Sequence, residues 1–207
     1  MPPLRLIVTL LASFWCLSSA ALAGPFSTIV IDAGHGGKDV GGNYKKVYEK
    51  HLALDTAMRL EYMLKKKGYR TRMTRKSDVF LSLQKRASIG NRYRNSIFIS
   101  IHYNYTYRKG AAGVETFYYS KRSKPLAQYV HSAVLSKTRA YDRKVKFARY
   151  YVIRNVRNPS ILFEGGFLSN SRERRHCRKG YYRQRIAEGM VAGIDRYQAA
   201  RRAGRLR

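Results

Sequence analysis

Three apolar runs, each followed closely by an ionisable residue, constrain the fold of this chain most strongly. The runs "TIVIDAGHGG", "SIFISIHYN" and "SILFEGG" begin at Thr28, Ser96 and Ser160. Short apolar runs that are rich in β-branched residues and stop at turn signals are typical of buried strands. Segments with helical periodicity lie between them, and strands that alternate with helices predict an α/β fold. We therefore expect a single domain with a mainly parallel, twisted sheet that helices cover on both faces.

Four segments carry apolar residues at helical spacing. In the first of them Leu52, Leu60 and Leu64 fall on one face, and Gly68 stands at the C-cap position after a lysine-rich last turn. The sequence predicts helices over about residues 49–67, 83–94, 123–137 and 182–199, further strands at "YRTRMTR" and "GVETFYY", and a short element at "YYVIR".

The first 23 residues have the layout of a secretory signal. Arg5 precedes an apolar core, and Ala21-Leu22-Ala23 forms a small-residue cleavage site. The apolar core is shorter than the roughly 20 residues that span a bilayer. We therefore predict a signal peptide over residues 1–23, one domain over residues 24–199 and a basic tail over residues 200–207. The protein is expected to be exported, to the periplasm or to the cell wall and extracellular space.

The cysteine content limits how the exported chain is stabilised. Cys16 lies inside the predicted signal, so Cys177 is the only cysteine expected afterwards, and an intramolecular disulfide is excluded. Its basic surroundings, "RERRHCRKG", are interpreted as a solvated loop. His51, His131 and His176 are expected on exposed surfaces or helix faces.

The net charge of +30 implies a polyanionic partner. For an exported protein, anionic wall polymers and lipid headgroups are the candidate polyanionic partners. No nucleic-acid partner is expected, since the sequence contains no recognisable motif of that kind.

The residues that follow the three strands predict a metal site. Parallel strands would bring His35, His102 and Glu164 to one edge of the sheet. Two histidines and a carboxylate suit catalytic zinc, which keeps its fourth position for water. Glu49, in the first turn of the helix, is the best-placed third ligand, with Asp32 and Asp39 as alternatives. A carboxylate at a helix N-terminus is also explained by the helix dipole alone.

Taken in order, the motifs resemble those of the zinc-dependent N-acetylmuramoyl-L-alanine amidases of the type-3 amidase family. The resemblance covers the whole chain after the signal and rests on "IDAGHGGKD", Glu49, "TRKSDVFLSLQKRASIGN", "FISIHYN", "GVETFYY" and "ILFEGGFLSN". The chain departs mildly from the family pattern, with Ala33 where many relatives have Pro and Gly90 where Ala is usual.

The resemblance implies that residues 24–199 form a zinc amidase catalytic domain. His35, Glu49 and His102 would hold one zinc ion, and Glu164 would be the catalytic general base. The implied substrate is peptidoglycan, at the amide that joins the lactyl group of N-acetylmuramic acid to L-alanine of the stem peptide.

The sequence predicts individual roles for four further residues. Glu115 resembles a second carboxylate of the family's cleft, with a buried salt bridge as the alternative. Asn104 and Asn170 are expected to shape the cleft. Arg86 is expected to anchor its helix through hydrogen bonds.

Two questions stay open at the level of sequence. The alternative function is a catalytically silent peptidoglycan- or polyanion-binding protein of the same fold.

Some members of the family carry an occluding helix that an activator protein displaces, but residues 103–163 leave little room for one. Residues 139–149 are long enough for a short lid. We expect a monomer that needs no obligatory activator.

Overall fold

The computed structural model describes residues 26–206, and the predicted secretory signal lies outside them. A six-stranded sheet in the order β4-β1-β5-β8-β6-β7 forms the centre, and a small hairpin of β2 and β3 lies apart from it. The strands are β1 (Thr28–Ala33), β2 (Asn43–Tyr44), β3 (Val47–Tyr48), β4 (Arg70–Met73), β5 (Ser96–Asn104), β6 (Val114–Tyr118), β7 (Asp142–Phe147) and β8 (Ser160–Phe167). The helices are α1 (Glu49–Lys66), α2 (Leu83–Asn91), α3 (Lys124–Thr138), α4 (Tyr151–Asn155), α5 (Ser171–Arg178) and α6 (Gly180–Arg202).

The sheet is mainly parallel, as predicted. Strands β4, β1, β5 and β8 run parallel to one another, and only β6 runs antiparallel to its neighbour β8. The carboxyl ends of β1, β5 and β8 therefore meet at one edge of the sheet, which we call the catalytic edge. His102 of β5 lies opposite Glu164 of β8, and Glu164 lies opposite Glu115 of β6.

Two apolar clusters cover the two faces of the sheet. Ile29 and Ile31 of β1 point into the larger cluster, which includes buried residues of α1, α3 and α6. Val30 points to the other face, where it belongs to the smaller cluster with residues of α2 and α4. Because both faces of the sheet are buried, the sequences of these strands are continuous apolar runs. The predicted α/β fold with helices on both faces is confirmed.

The structure corrects the expectation for Cys177 and adds detail at two other places. Residues 139–149, for which the sequence left a short lid open, contain the edge strand β7, whose side chains are half-buried or exposed. Cys177 lies in α5 and is only 1% exposed, because α5 turns Arg174 and Cys177 inward while its other basic residues face outward. His131 is buried in α3 between Thr116 and Asp142.

The described residues include no helix that is both long and apolar enough to cross a membrane. Helix α6 extends three residues past the predicted end of its helix, into the segment predicted as a basic tail.

Helices α3 and α6 pack at backbone contact because α6 carries two glycines at the interface. A Cβ atom at Gly193 would lie 2.5 Å from Val130 Cα, and one at Gly189 would lie 2.6 Å from Val134 Cα. Real Cβ atoms do not approach other heavy atoms this closely, so both positions exclude a side chain unless the helices separate.

We predict that Gly193→Ala destabilises the protein by about 2 kcal/mol, because overpacking against the α3 backbone outweighs the roughly 1 kcal/mol that alanine contributes to helix propensity. Thermal unfolding followed by circular dichroism measures the effect. Gly110→Ala is the control, since no heavy atom lies within 4 Å of its added Cβ. Equal melting temperatures for the two variants would contradict the packing argument.

Candidate metal centre

The loop after β1 holds His35 in an uncommon backbone conformation. His35 has φ 57°, which lies in the left-handed region that non-glycine residues rarely adopt. Arg75 donates hydrogen bonds to the carbonyls of Ala33 (2.9 Å) and Gly34 (2.7 Å), and Arg86 donates to those of Ala33 (2.6 Å) and His35. We call these two residues the arginine clamp. The clamp satisfies three consecutive carbonyls and fixes the turn that carries His35.

Asp32 completes the support of this loop and lies outside the cluster of candidate metal ligands. It is fully buried and accepts hydrogen bonds from Arg86 (2.8 Å), Thr74 (2.7 Å) and Ser100 (2.7 Å). Burial by itself would raise the pKa of Asp32, but the charge of Arg86 and these hydrogen bonds lower it. Asp32 is therefore a charged partner of the arginine clamp. Arg86 thus anchors its helix through hydrogen bonds, as predicted.

Asp39 orients the imidazole of His35. Both of its carboxylate oxygens lie 2.9 Å from His35 Nδ1, which leaves Nε2 facing the other site residues. A carboxylate on the far ring nitrogen is the usual second partner of a metal-binding histidine. Asp39 therefore supports the cluster from outside.

Glu49 is the first residue of α1 and is held at both carboxylate oxygens. Oε2 accepts a hydrogen bond from the backbone N–H of Gly42 (2.7 Å), and Oε1 accepts one from that of Tyr103 (3.0 Å). Burial alone would raise the pKa of Glu49, but hydrogen bonds with His102 and His35 outweigh it and the pKa is lowered. Glu49 therefore presents a charged oxygen at a fixed position.

His35, Glu49 and His102 converge at the catalytic edge. Glu49 Oε1 lies 3.0 Å from His35 Nε2 and 2.8 Å from His102 Nδ1, and the two nitrogens are 3.2 Å apart. A tetrahedral zinc ion with bonds of about 2.0–2.1 Å places its ligand atoms roughly 3.3 Å from one another. The three donor atoms are therefore spaced closely enough to share one ion, and two imidazoles with a carboxylate suit zinc.

Glycines make room for these side chains. A Cβ at Gly34 would lie 2.5 Å from His102 Nε2. Gly41 has φ 65°, and a Cβ there would lie 2.6 Å from His35 Cδ2 and 2.7 Å from Glu49 Oε2. The glycine-rich loop that surrounds His35 in the sequence thus serves both the turn and the packing of the cluster.

Glu164 lies beside the cluster and is electrostatically different from Glu49. It is buried, and its Oε2 has no hydrogen-bond partner among the described residues. Burial raises its pKa well above the ordinary value, and the negative charges of Glu49 and Glu115 raise it further. The environment therefore favours a carboxyl group that binds a proton readily.

The cluster and Glu164 line one cavity of about 350 Å³. Its wall also contains residues that the sequence did not indicate, namely Leu83, Tyr105, Tyr150 and Tyr151. Leu83, Tyr105 and Tyr150 are more than 40% exposed, so the mouth of the cavity is apolar and open to solvent. These residues come from three separate loops and helix starts, and no sequence motif connects them.

The three remaining candidates occupy different positions. Glu115 is buried and accepts hydrogen bonds from Asn104 Nδ2 (2.6 Å), Arg143 Nε (3.0 Å) and Lys146 Nζ (2.5 Å), so it forms the buried salt bridge considered as its alternative role. Asn104 lines the cavity. Asn170 lies outside the lining of the cavity, where its side chain caps the N-terminus of α5.

A His–Glu–His cluster at the edge of a parallel sheet, next to a buried carboxyl with one oxygen unpaired within the described residues, is the arrangement expected of the metal-dependent hydrolases. The comparison with known proteins narrows this class. Residues 29–196 match the family described as N-acetylmuramoyl-L-alanine amidase, and this chain belongs to that family. The enzyme class predicted from the sequence is thereby confirmed.

Individual relatives agree with the family assignment. The N-acetylmuramoyl-L-alanine amidase LytC of Bacillus subtilis is 32% identical over 82% of this chain, which spans 35% of the length of LytC. The crystal structure of an N-acetylmuramoyl-L-alanine amidase from Clostridium difficile 630 matches with a TM-score of 0.82 at 35% identity. The match covers 86% of this chain and 99% of the crystallised chain. The structure of the CwlD amidase from Clostridioides difficile in complex with the GerS lipoprotein matches with a TM-score of 0.80 at 28% identity. The match covers 84% of this chain and 99% of the CwlD chain.

We predict that Arg86→Ala destabilises the protein by about 3–5 kcal/mol, because it leaves the charge of Asp32 buried without its partner. Denaturant unfolding measures the loss. Arg92→Ala removes an exposed arginine at the C-terminal end of the same helix and is the control. A loss for Arg86→Ala that equals the loss for Arg92→Ala would contradict the role of the clamp.

Proposed function

We propose that this chain is an exported zinc amidase of the bacterial cell wall. Its reaction is the hydrolysis of the amide between the lactyl group of N-acetylmuramic acid and L-alanine of the stem peptide, during wall remodelling or division. The observation that carries the proposal is the convergence of His35, Glu49 and His102 beside Glu164 in a chain that belongs to the amidase family. The same family assignment supports peptidoglycan as the substrate.

His35, Glu49 and His102 would hold one zinc ion. Zinc, when bound by these residues, lowers the pKa of water to about 7 and polarises the carbonyl of the scissile amide. The chain supplies the orientation: Asp39 fixes the His35 ring, and two backbone N–H groups fix Glu49.

Glu164 is proposed as the general base. Its carboxylate takes a proton from the attacking water as the new C–O bond forms, and passes the proton to the amide nitrogen as the C–N bond breaks. Two features support this role. Its Oε2 has no competing hydrogen bond among the described residues, and burial together with Glu49 and Glu115 raises its pKa, as suits a group that must hold the proton between the two steps.

The residues at the mouth of the cavity suit the binding of a large substrate. Tyr105 and Tyr150 are partly exposed at its mouth, where flat aromatic rings offer apolar contact to a sugar ring or a peptide side chain. The side chain of His35 is 23% exposed, so the metal centre is accessible from this mouth. Strand β7 and helix α4 occupy part of the stretch between His102 and Glu164 in which a lid would have to lie.

These observations support activity without an activator protein, and a monomeric state stays a prediction from the sequence. A related amidase, CwlD, was solved in complex with a lipoprotein. An assay in which the purified chain is inactive until a second protein is added would therefore contradict this proposal. The second candidate function, a silent peptidoglycan- or polyanion-binding protein, is favoured only by the net charge of +30.

We predict that the ligand variants and the base variant fail in different ways. His35→Ala, Glu49→Ala and His102→Ala should each lose the metal and the activity, because two ligands hold zinc weakly. Glu164→Gln should keep the metal and lose turnover by about 10²–10⁴-fold, because an amide cannot accept the proton. Metal analysis of purified protein and release of stem peptides from wall sacculi measure the two properties.

The matched control is Glu188→Gln, which makes the same change on the partly exposed face of α6. Stoichiometric metal in a ligand variant would remove that residue from the ligand set. Turnover by Glu164→Gln within a few-fold of the Glu188→Gln control would refute the role of Glu164.

A further inference from the structure

A second cavity of about 330 Å³ lies at the edge of the sheet opposite the catalytic edge. Three arginines from separate elements line it: Arg94 just before β5, Arg122 just before α3 and Arg201 in the last turn of α6. We call it the arginine cavity. Ser96, the first residue of β5, also lines it, and His102 lies six residues further along the strand. At about 3.3 Å per residue, the arginine cavity is roughly 20 Å from the metal centre.

Within the part of the chain that the structure describes, no acidic side chain balances the charges in the arginine cavity. Asp and Glu are absent from its lining, and Arg94, Arg122 and Arg201 form no ion pair within residues 26–206. Three like charges around one cavity repel each other, and an anion relieves that repulsion. The acidic residues of the metal centre lie at the other end of the strands, so the two cavities have opposite electrostatic character.

Two of the three guanidinium groups are held in place. Arg201 Nη1 donates to the hydroxyl of Tyr197 (3.2 Å), and Arg122 Nη2 donates to the carbonyl of Arg157 (2.7 Å). Each guanidinium carries five N–H donors, so most of their donors stay available. Arg94 is exposed and its side chain has no hydrogen bond to the described residues.

Besides the arginines, the lining contains apolar and aromatic residues and the polar residues Asn95, Ser96 and Asn158. Phe26 and Tyr197 are buried and stack with their ring centroids 6.0 Å apart, and Pro125 and Pro159 add further apolar surface. A cavity of this volume exceeds the size of a bare phosphate group. The combination suits an anion that carries a small organic substituent.

We propose that the arginine cavity binds a phosphate ester, with the phosphate between the guanidinium groups and the organic part against Phe26 and Tyr197. Planar guanidinium groups match the oxygens of phosphate in geometry and charge. A glycerol phosphate group fits this description, either as a lipid headgroup or as a soluble ester. Binding at this edge would leave the metal centre facing away from the bound group. The proposal does not depend on the amidase reaction.

Titration of the purified full chain with glycerol 3-phosphate by calorimetry tests the site. The cavity variant is Arg94→Gln/Arg122→Gln, and the control is Arg175→Gln/Arg178→Gln, which removes the same charge from two exposed positions on α5. The loss of two charged hydrogen-bonding groups should weaken binding at least about tenfold in the cavity variant. The control should stay within about twofold of the unaltered chain.

Sedimentation with phosphatidylglycerol vesicles and with phosphatidylcholine vesicles identifies the source of the phosphate. Loss of phosphatidylglycerol binding in the cavity variant alone supports a lipid headgroup, and equal vesicle binding by both variants supports a soluble ester. Absence of saturable glycerol 3-phosphate binding, or equal weakening in both variants, would overturn the proposal. Should the cavity variant unfold in a thermal melt, Arg94→Gln alone carries the test, since that side chain supports no described contact.

Discussion

The buried ion pair between Arg86 and Asp32 is the interaction on which the metal centre depends. Asp32 is the last but one residue of β1, and Arg86 reaches it from α2 while also donating to the carbonyls of Ala33 and His35. Such a pair is costly to break because either partner left alone is a buried charge. Arg75 completes the same clamp from the other side. The left-handed backbone of His35 is thus held by contacts from residues about 40 to 50 positions further along the chain.

The parallel sheet arranges the remaining chemistry. Register between β5 and β8 places Glu164 opposite His102, and register between β8 and β6 places Glu115 on its other side. Three acidic groups in one region would repel one another, and the structure resolves this unequally. Glu49 forms hydrogen bonds with two histidines, and Glu115 is paired with Arg143 and Lys146, whereas Glu164 keeps an oxygen that is unpaired within residues 26–206. Glu164, whose Oε2 has no hydrogen-bond partner in the described chain, is the carboxyl group proposed to move the proton.

The sequence predicted much of this arrangement because the site residues lie at or near the carboxyl ends of strands: His35 follows β1, and His102 and Glu164 lie in the C-terminal halves of β5 and β8. A parallel sheet makes these strand ends neighbours, so the sequence could place the three residues together. Spacing along the chain ranked Glu49 first but left Asp32 and Asp39 as alternatives, since all three carboxylates lie close to His35 in the sequence. Contacts between distant segments favour Glu49: Arg86 pairs with Asp32, and the backbone N–H of Tyr103 donates to Glu49.

Other features were beyond the sequence for identifiable physical reasons. Strand β7 is too polar to read as a strand, because an edge strand buries few of its side chains. Cys177 looked solvated because the residues beside it along α5 are basic, although helical geometry turns it inward. Asn170 follows the last strand motif but caps the next helix. Local composition was misleading wherever a single buried position lies among charged neighbours.

The products formed from purified wall sacculi show whether this cluster makes the chain a metal-dependent amidase. We expect the purified chain to release stem peptides with a free L-alanine amino group and to leave intact glycan strands. A chelator should stop the release, and one equivalent of zinc per chain should restore it. Binding to sacculi without release, with and without added zinc, would contradict this expectation.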